Sequence, residues 1–145
     1  MSRRWKLAVI ILGSVVALGG VVLAPAVVID LASSDLCGNE QLAEYRSPDG
    51  TMKVVVFERD CGATTDFSTQ ASLLLATRDL PAESGNLFIA DTNHGAAPAG
   101  SGGGPTLGVR WEGPHGLVLE YNGQARIFKA EKNLSSVFIR YTVVR

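Results

Sequence analysis

Twenty-three consecutive residues without a charge, "LAVIILGSVVALGGVVLAPAVVI" from Leu7 to Ile29, constrain this chain more than any other feature. About 20 apolar residues in a helix span the roughly 30 Å hydrocarbon core of a bilayer. The run therefore predicts one transmembrane helix over 7–29. Arg3, Arg4 and Lys6 precede it, and Asp30 and Asp35 follow it. Positive flanks stay on the cytoplasmic side, so the N-terminus is expected inside and the rest of the chain outside. "APA" offers Ala24 and Ala26 as small residues for cleavage after Ala26, which would release a secreted or periplasmic chain. The apolar stretch before Pro25, however, is longer than the usual core of roughly 7–15 residues in a cleavable signal. Residues 1–29 thus read as an uncleaved signal anchor, with Trp5 as an interfacial residue. Residues 30–36 read as a short linker, and residues 37–145 as one extracytoplasmic domain.

The exported part holds all 14 acidic residues and ten of the 13 basic ones, a net charge of −4. With no basic stripe and no basic cluster interleaved with aromatics, nucleic acid is not an expected partner. Its two cysteines, Cys37 and Cys61, both lie beyond the anchor. An even count in an exported domain favours a disulfide between them. Free thiols or part of a metal site are the alternatives. Neither cysteine has a histidine beside it, and no Cys-x-x-Cys pair occurs.

Hydrophobic patterning predicts strands and turns throughout this part. "QLAEYR" (41–46) and "TMKVVVFER" (51–59) flank "SPDG", in which proline presets the first central turn angle and glycine supplies the exit. A hairpin is expected there. "STQASLLLAT" (68–77) and "GNLFIAD" (85–91) follow. "TLGVRWE" (106–112) places Leu107, Val109 and Trp111 on one face, which makes Trp111 a core candidate. "LVLEYN" (117–122) and "ARIFKAE" (125–131) are joined by Asn122-Gly123, a strong two-residue hairpin signal. "SSVFIRYTVVR" closes the chain. About eight short strands at this spacing predict an all-β fold, a small antiparallel sandwich or open barrel.

Three polar stretches are candidates for chemistry. "TNHGAAPAGSGGGP" (92–105) holds five of the 16 glycines between Gly95 and Gly104. A phosphate cradle needs a strand before it and a helix after it. Here prolines bracket the run and another strand follows, so a flexible loop is expected. In "ADTNHG", Asp91, Asn93 and His94 stand where a strand ends. Asp91 and His94 could ligate a metal only with a third donor such as His115, Asp60 or Asp66. An Asx turn with a solvated His94 is the simpler expectation. In "CGATTDFS", Gly62 permits unusual backbone angles. Thr64, Thr65, Asp66 and Ser68 can bond neighbouring amides, and Phe67 is expected to point inward. No Gly-x-Ser-x-Gly elbow and no paired carboxylates appear, so no catalytic residue, metal or cofactor is assigned.

The pattern SPDG-x-x-x-x-V-V-x-ERDCGATT-x-FSTQ, then ESGN-x-F-x-ADTNHG and a glycine-rich stretch, resembles a family of small uncharacterised bacterial exported proteins. A looser form, SPDG followed by GATT-D-[FY], is similar to a second group of membrane-anchored domains. The resemblance covers about Cys37 to Arg145. It implies an exported, membrane-anchored location and brings no substrate, cofactor or catalytic residue. Cys37 follows Asp35 and Leu36 rather than small residues, so lipidation does not carry over.

The expected function is that of a membrane-anchored extracytoplasmic binding or accessory domain of the bacterial cell envelope, with a protein partner there. Its expected binding surface joins Thr64, Thr65 and Asp66 to Asp91, Asn93 and His94. Two alternatives stand beside it. One is a hydrolase or metal-dependent enzyme using the same two loops, and the other is a purely structural envelope protein.

Overall fold

The computed structural model describes residues 37–62 and 67–145. The anchor, the linker, Trp5 and Thr64–Asp66 lie outside the described residues. Within them the chain forms β1 (Gly38–Arg46), β2 (Met52–Asp60), β3 (Ser68–Leu75), β4 (Phe88–Asp91) and β5 (Leu107–Trp111). Then come β6 (Gly116–Asn122), β7 (Arg126–Ala130), β8 (Asn133–Leu134) and β9 (Val137–Val144). One sheet has the order β1-β2-β3-β4-β7, and the other the order β5-β6-β9-β8.

The first hairpin forms where "SPDG" predicts it. The Gly50 amide donates to Ser47 O at 2.9 Å, and Gly50 takes a φ of 71° that glycine tolerates best. The Asp49 carboxylate accepts from the Ser47 hydroxyl and from Thr51, which holds its pKa below the ordinary value. β1 then pairs with β2 through a bulge at Leu42. Cys37 and Cys61 form a disulfide just beyond the first register pair, Gly38 opposite Asp60.

Both sheets contribute to one core. Val54, Val56, Ala71, Leu73, Phe88 and Ala90 come from the first, and Leu117, Leu119, Val137 and Ile139 from the second. Phe88 lies 5.7 Å from Tyr121 and 6.1 Å from Tyr141, an aromatic cluster across the two sheets. Trp111 packs against this core half-buried, its indole donating to Tyr45 O at 3.0 Å.

Four expectations need correction, the last being the flexible loop at the glycine run. Asn122-Gly123 does not join a hairpin: β6 is flanked by β5 and β9, and β7 pairs with β4 in the other sheet. Neither residue has a positive φ, so the turn is not the type I′ that the dipeptide favours. Gly123 answers instead to a close approach, since a Cβ there would lie 2.8 Å from Val143 Cγ1. The fold is also not purely antiparallel. The chain leaves the second sheet after β6, adds β7 to the first, and returns so that β9 runs parallel to β6. Phe67 is 49% exposed rather than inward, its ring lying against Gly103.

The glycine run is laid against the sheet. Gly102 and Gly104 are buried, and a bridge joins Ala99 to Pro105. A Cβ on Gly104 would come within 2.5 Å of the Thr69 backbone nitrogen and hydroxyl. Glycine is what lets this loop close the core-facing side of β1–β3 at that end.

Candidate functional site

The register of the first sheet brings five polar side chains into one row. Asn39 stands opposite Arg59, Arg59 opposite Ser68, Ser68 opposite Asp91, and Asp91 opposite Arg126. Each strand contributes one member. Direct partners across a ladder point to the same side of a sheet, and successive residues alternate. Ala90 and Ile127, next to two row members in sequence, pack into or onto the core. The row therefore faces away from it. At about 4.8 Å per strand the row runs roughly 19 Å across the sheet.

Hydrogen bonds fix most of these side chains. At one end, Asn39 Nδ2 donates to the carbonyls of Pro81 and Glu83 at 2.8 Å each. This turns Asn39 Oδ1 toward Arg59, whose Nη1 donates to it at 2.7 Å. In the middle, Gln70 Nε2 donates to Ser68 Oγ at 2.9 Å, and the Ser68 hydroxyl donates to Arg59 O at a long 3.4 Å. The Gly85 amide donates to Gln70 Oε1 at 2.7 Å. Through Gly85 and through the Asn39 contacts, the stretch from Pro81 to Gly85 flanks the row.

At the other end, Asp91 is 4% exposed and accepts from Arg126 through both carboxylate oxygens. It also accepts from the Asn93 amide at 2.8 Å, the Asx turn expected from the sequence. Burial works to raise the Asp91 pKa. The Arg126 hydrogen bonds, the Asn93 amide and the nearby positive charge outweigh it and hold the carboxyl below its ordinary value. The Arg126 guanidinium also lies 5.1 Å over the Phe128 ring and reaches His94 Nε2 at 3.5 Å. Phe128 is 60% exposed and His94 is exposed. Asn93 and His94 both take positive φ, 52° and 57°, as the loop turns away from β4.

Of the residues expected in the site, Asp91, Asn93 and His94 come together at one end of the row. Thr64, Thr65 and Asp66 lie outside the described residues. The strand that follows them begins at Ser68, the register partner of Asp91. Chain leaving β3 backward and chain leaving β4 forward thus depart from the same end of the sheet. The sequence reading missed Asn39, Arg59 and Arg126. Counting register outward from the "SPDG" turn would have placed Asn39 near Arg59, but the bulge at Leu42 shifts that count by one. Nothing in the sequence announces that β7 joins β4.

The core-facing side of this end carries Glu40 and Glu58 as register partners, with Asp60 nearby. Burial, then the charges of Glu40 and Asp60, raise the Glu58 pKa. A cleft of about 180 Å³ lies alongside, walled by Gly100–Gly102 and Gly104–Leu107 and floored by Leu42, Ala43, Val56 and Thr69. Among the described residues no group of His, Cys, Asp and Glu is placed to hold a metal ion.

Compared with protein-family models, with curated proteins and with solved structures, the chain gives no match in any of the three.

Proposed function

We propose that this chain is a membrane-anchored binding domain of the bacterial cell envelope. Residues 1–29 hold it outside the cytoplasmic membrane, and it takes its ligand on the outer face of the first sheet. The observation that carries this reading is the row Asn39–Arg59–Ser68–Asp91–Arg126, one polar residue from each of five strands. Polar side chains already oriented by neighbours lose little freedom when a ligand docks, which favours recognition. The row is also poorly suited to proton transfer. Asp91 commits both oxygens to Arg126, and its lowered pKa makes it a weak base. Exposed Phe128 beside Arg126 adds an apolar contact of the kind common at recognition surfaces.

The test is retention of solubilised cell-envelope material by the full-length chain in detergent. A Ser68→Trp variant would fill the middle of the row, and Phe138→Glu would alter the exposed Phe138 of the second sheet. Loss of retention in the first and not the second is the expected result. Equal retention by both variants and the wild type would refute the reading.

A further inference from the structure

We infer that Arg59 anchors an oxyanion of the ligand, a carboxylate or a phosphate group, with Asn39 and Ser68 setting its geometry. This rests on the reading of the row as the ligand site. Five arginines lie in the described strands: Arg46, Arg59, Arg110, Arg126 and Arg140. Four of them pair with carboxylates, Arg46 with Glu44, Arg110 and Arg140 with Glu112, and Arg126 with Asp91. Arg59 differs. Among the described residues its side chain meets only the neutral Asn39 amide oxygen, and it is half-buried rather than fully solvated. With no carboxylate paired to it among the described residues, a guanidinium drawn partly out of water is costly, and an anionic ligand would supply the counter-charge.

The surroundings suit such a group. Asn39 is clamped through Nδ2 by two carbonyls, so its Oδ1 fixes Nη1 and thereby the plane of the guanidinium. Among the described residues nothing accepts from Nε–H or the Nη2 protons, and they form a planar fork that matches the two oxygens of a carboxylate or phosphate edge. Ser68 is the next residue along the row. Its oxygen already accepts from Gln70, and among the described residues its proton makes only the 3.4 Å contact with Arg59 O. That proton can swing to a ligand oxygen at little cost. The nearest acid in the row, Asp91, is two strands away, about 10 Å, and is engaged by Arg126.

The experiment uses the full-length chain in detergent micelles. Sodium acetate and inorganic phosphate are the probes, sodium chloride is the ionic-strength control, and the Arg59 Nε–H resonance is the readout. Saturable shifts with acetate or phosphate and none with chloride are expected. Arg59→Lys, which keeps the charge but loses the fork, is expected to weaken that binding about tenfold or more; its own readout is the Ser68 amide. An acetate-only or phosphate-only response assigns the anion class and supports the inference. No saturable shift, or equal affinity in Arg59→Lys, overturns it. Retention of envelope material lost in Ser68→Trp yet unchanged in Arg59→Gln would overturn the oxyanion while leaving the row as the ligand site.

Discussion

Asp91 is the residue whose chemistry can be tested most simply. It is buried, and its charge is supported by Arg126 and the Asn93 amide. Its folded pKa lies below the ordinary aspartate value, so the stability it contributes is fully present above about pH 4. That contribution is lost as pH falls through the folded value. Asp91→Asn keeps the shape but removes the charge, and is expected to cost about 1–3 kcal/mol at neutral pH. Urea midpoints measured against pH should show wild type and variant converging in acid; a constant gap would mean the ion pair is not the cause. Asp91 and Asn93 were legible as an Asx turn because the motif is local. Arg126 was not, because its place opposite Asp91 depends on a strand pairing 35 residues away in sequence.

At the scale of elements, the strands were legible from alternation and the sheet order was not. "SPDG" worked because turn angles alone dictate a hairpin between adjacent strands. Asn122-Gly123 failed because β6 already has neighbours on both sides, so tertiary pairing overrode a local preference. The glycine run reads as a loose connection in sequence, yet close contacts fix it against β1–β3. Two variants separate those descriptions. Gly104→Ala pushes a Cβ onto the Thr69 backbone and should destabilise by about 1–3 kcal/mol. Gly102→Ala meets chiefly the ends of the Glu58 and Leu42 side chains, which can move, and should cost less. Thermal melts that fail to distinguish the two would contradict this packing. The disulfide joins the start of β1 to the end of β2, with a sequence separation of 24. Closing a loop of that length is worth roughly 3–4 kcal/mol in the chain-entropy model. Replacing both cysteines with serine should therefore lower the melting temperature by roughly 10–20 °C. An unchanged melt would count against a stabilising staple.

For the whole molecule, the proposal joins a membrane anchor to a binding domain, and each half has its own measurement. A reporter enzyme active only outside the cytoplasm, fused after Arg145, should be active, and carbonate washing should leave the protein in the membrane. Release by the wash would point to cleavage after Ala26. The binding half depends on five strands that no short motif could have connected. Arg59 stood in plain view two residues before Cys61 in "ERDCGATT", but its row partners Asn39 and Ser68 gain meaning only from the register. A photo-reactive side chain at Ser68 in intact cells, with a matched substitution at Phe138, tests whether ligand is held on the row. A ligand seated on the row gives a discrete adduct from position 68, diminished by Arg59→Gln and absent from position 138. Adducts of equal yield from both positions, or from 138 alone, would contradict that placement.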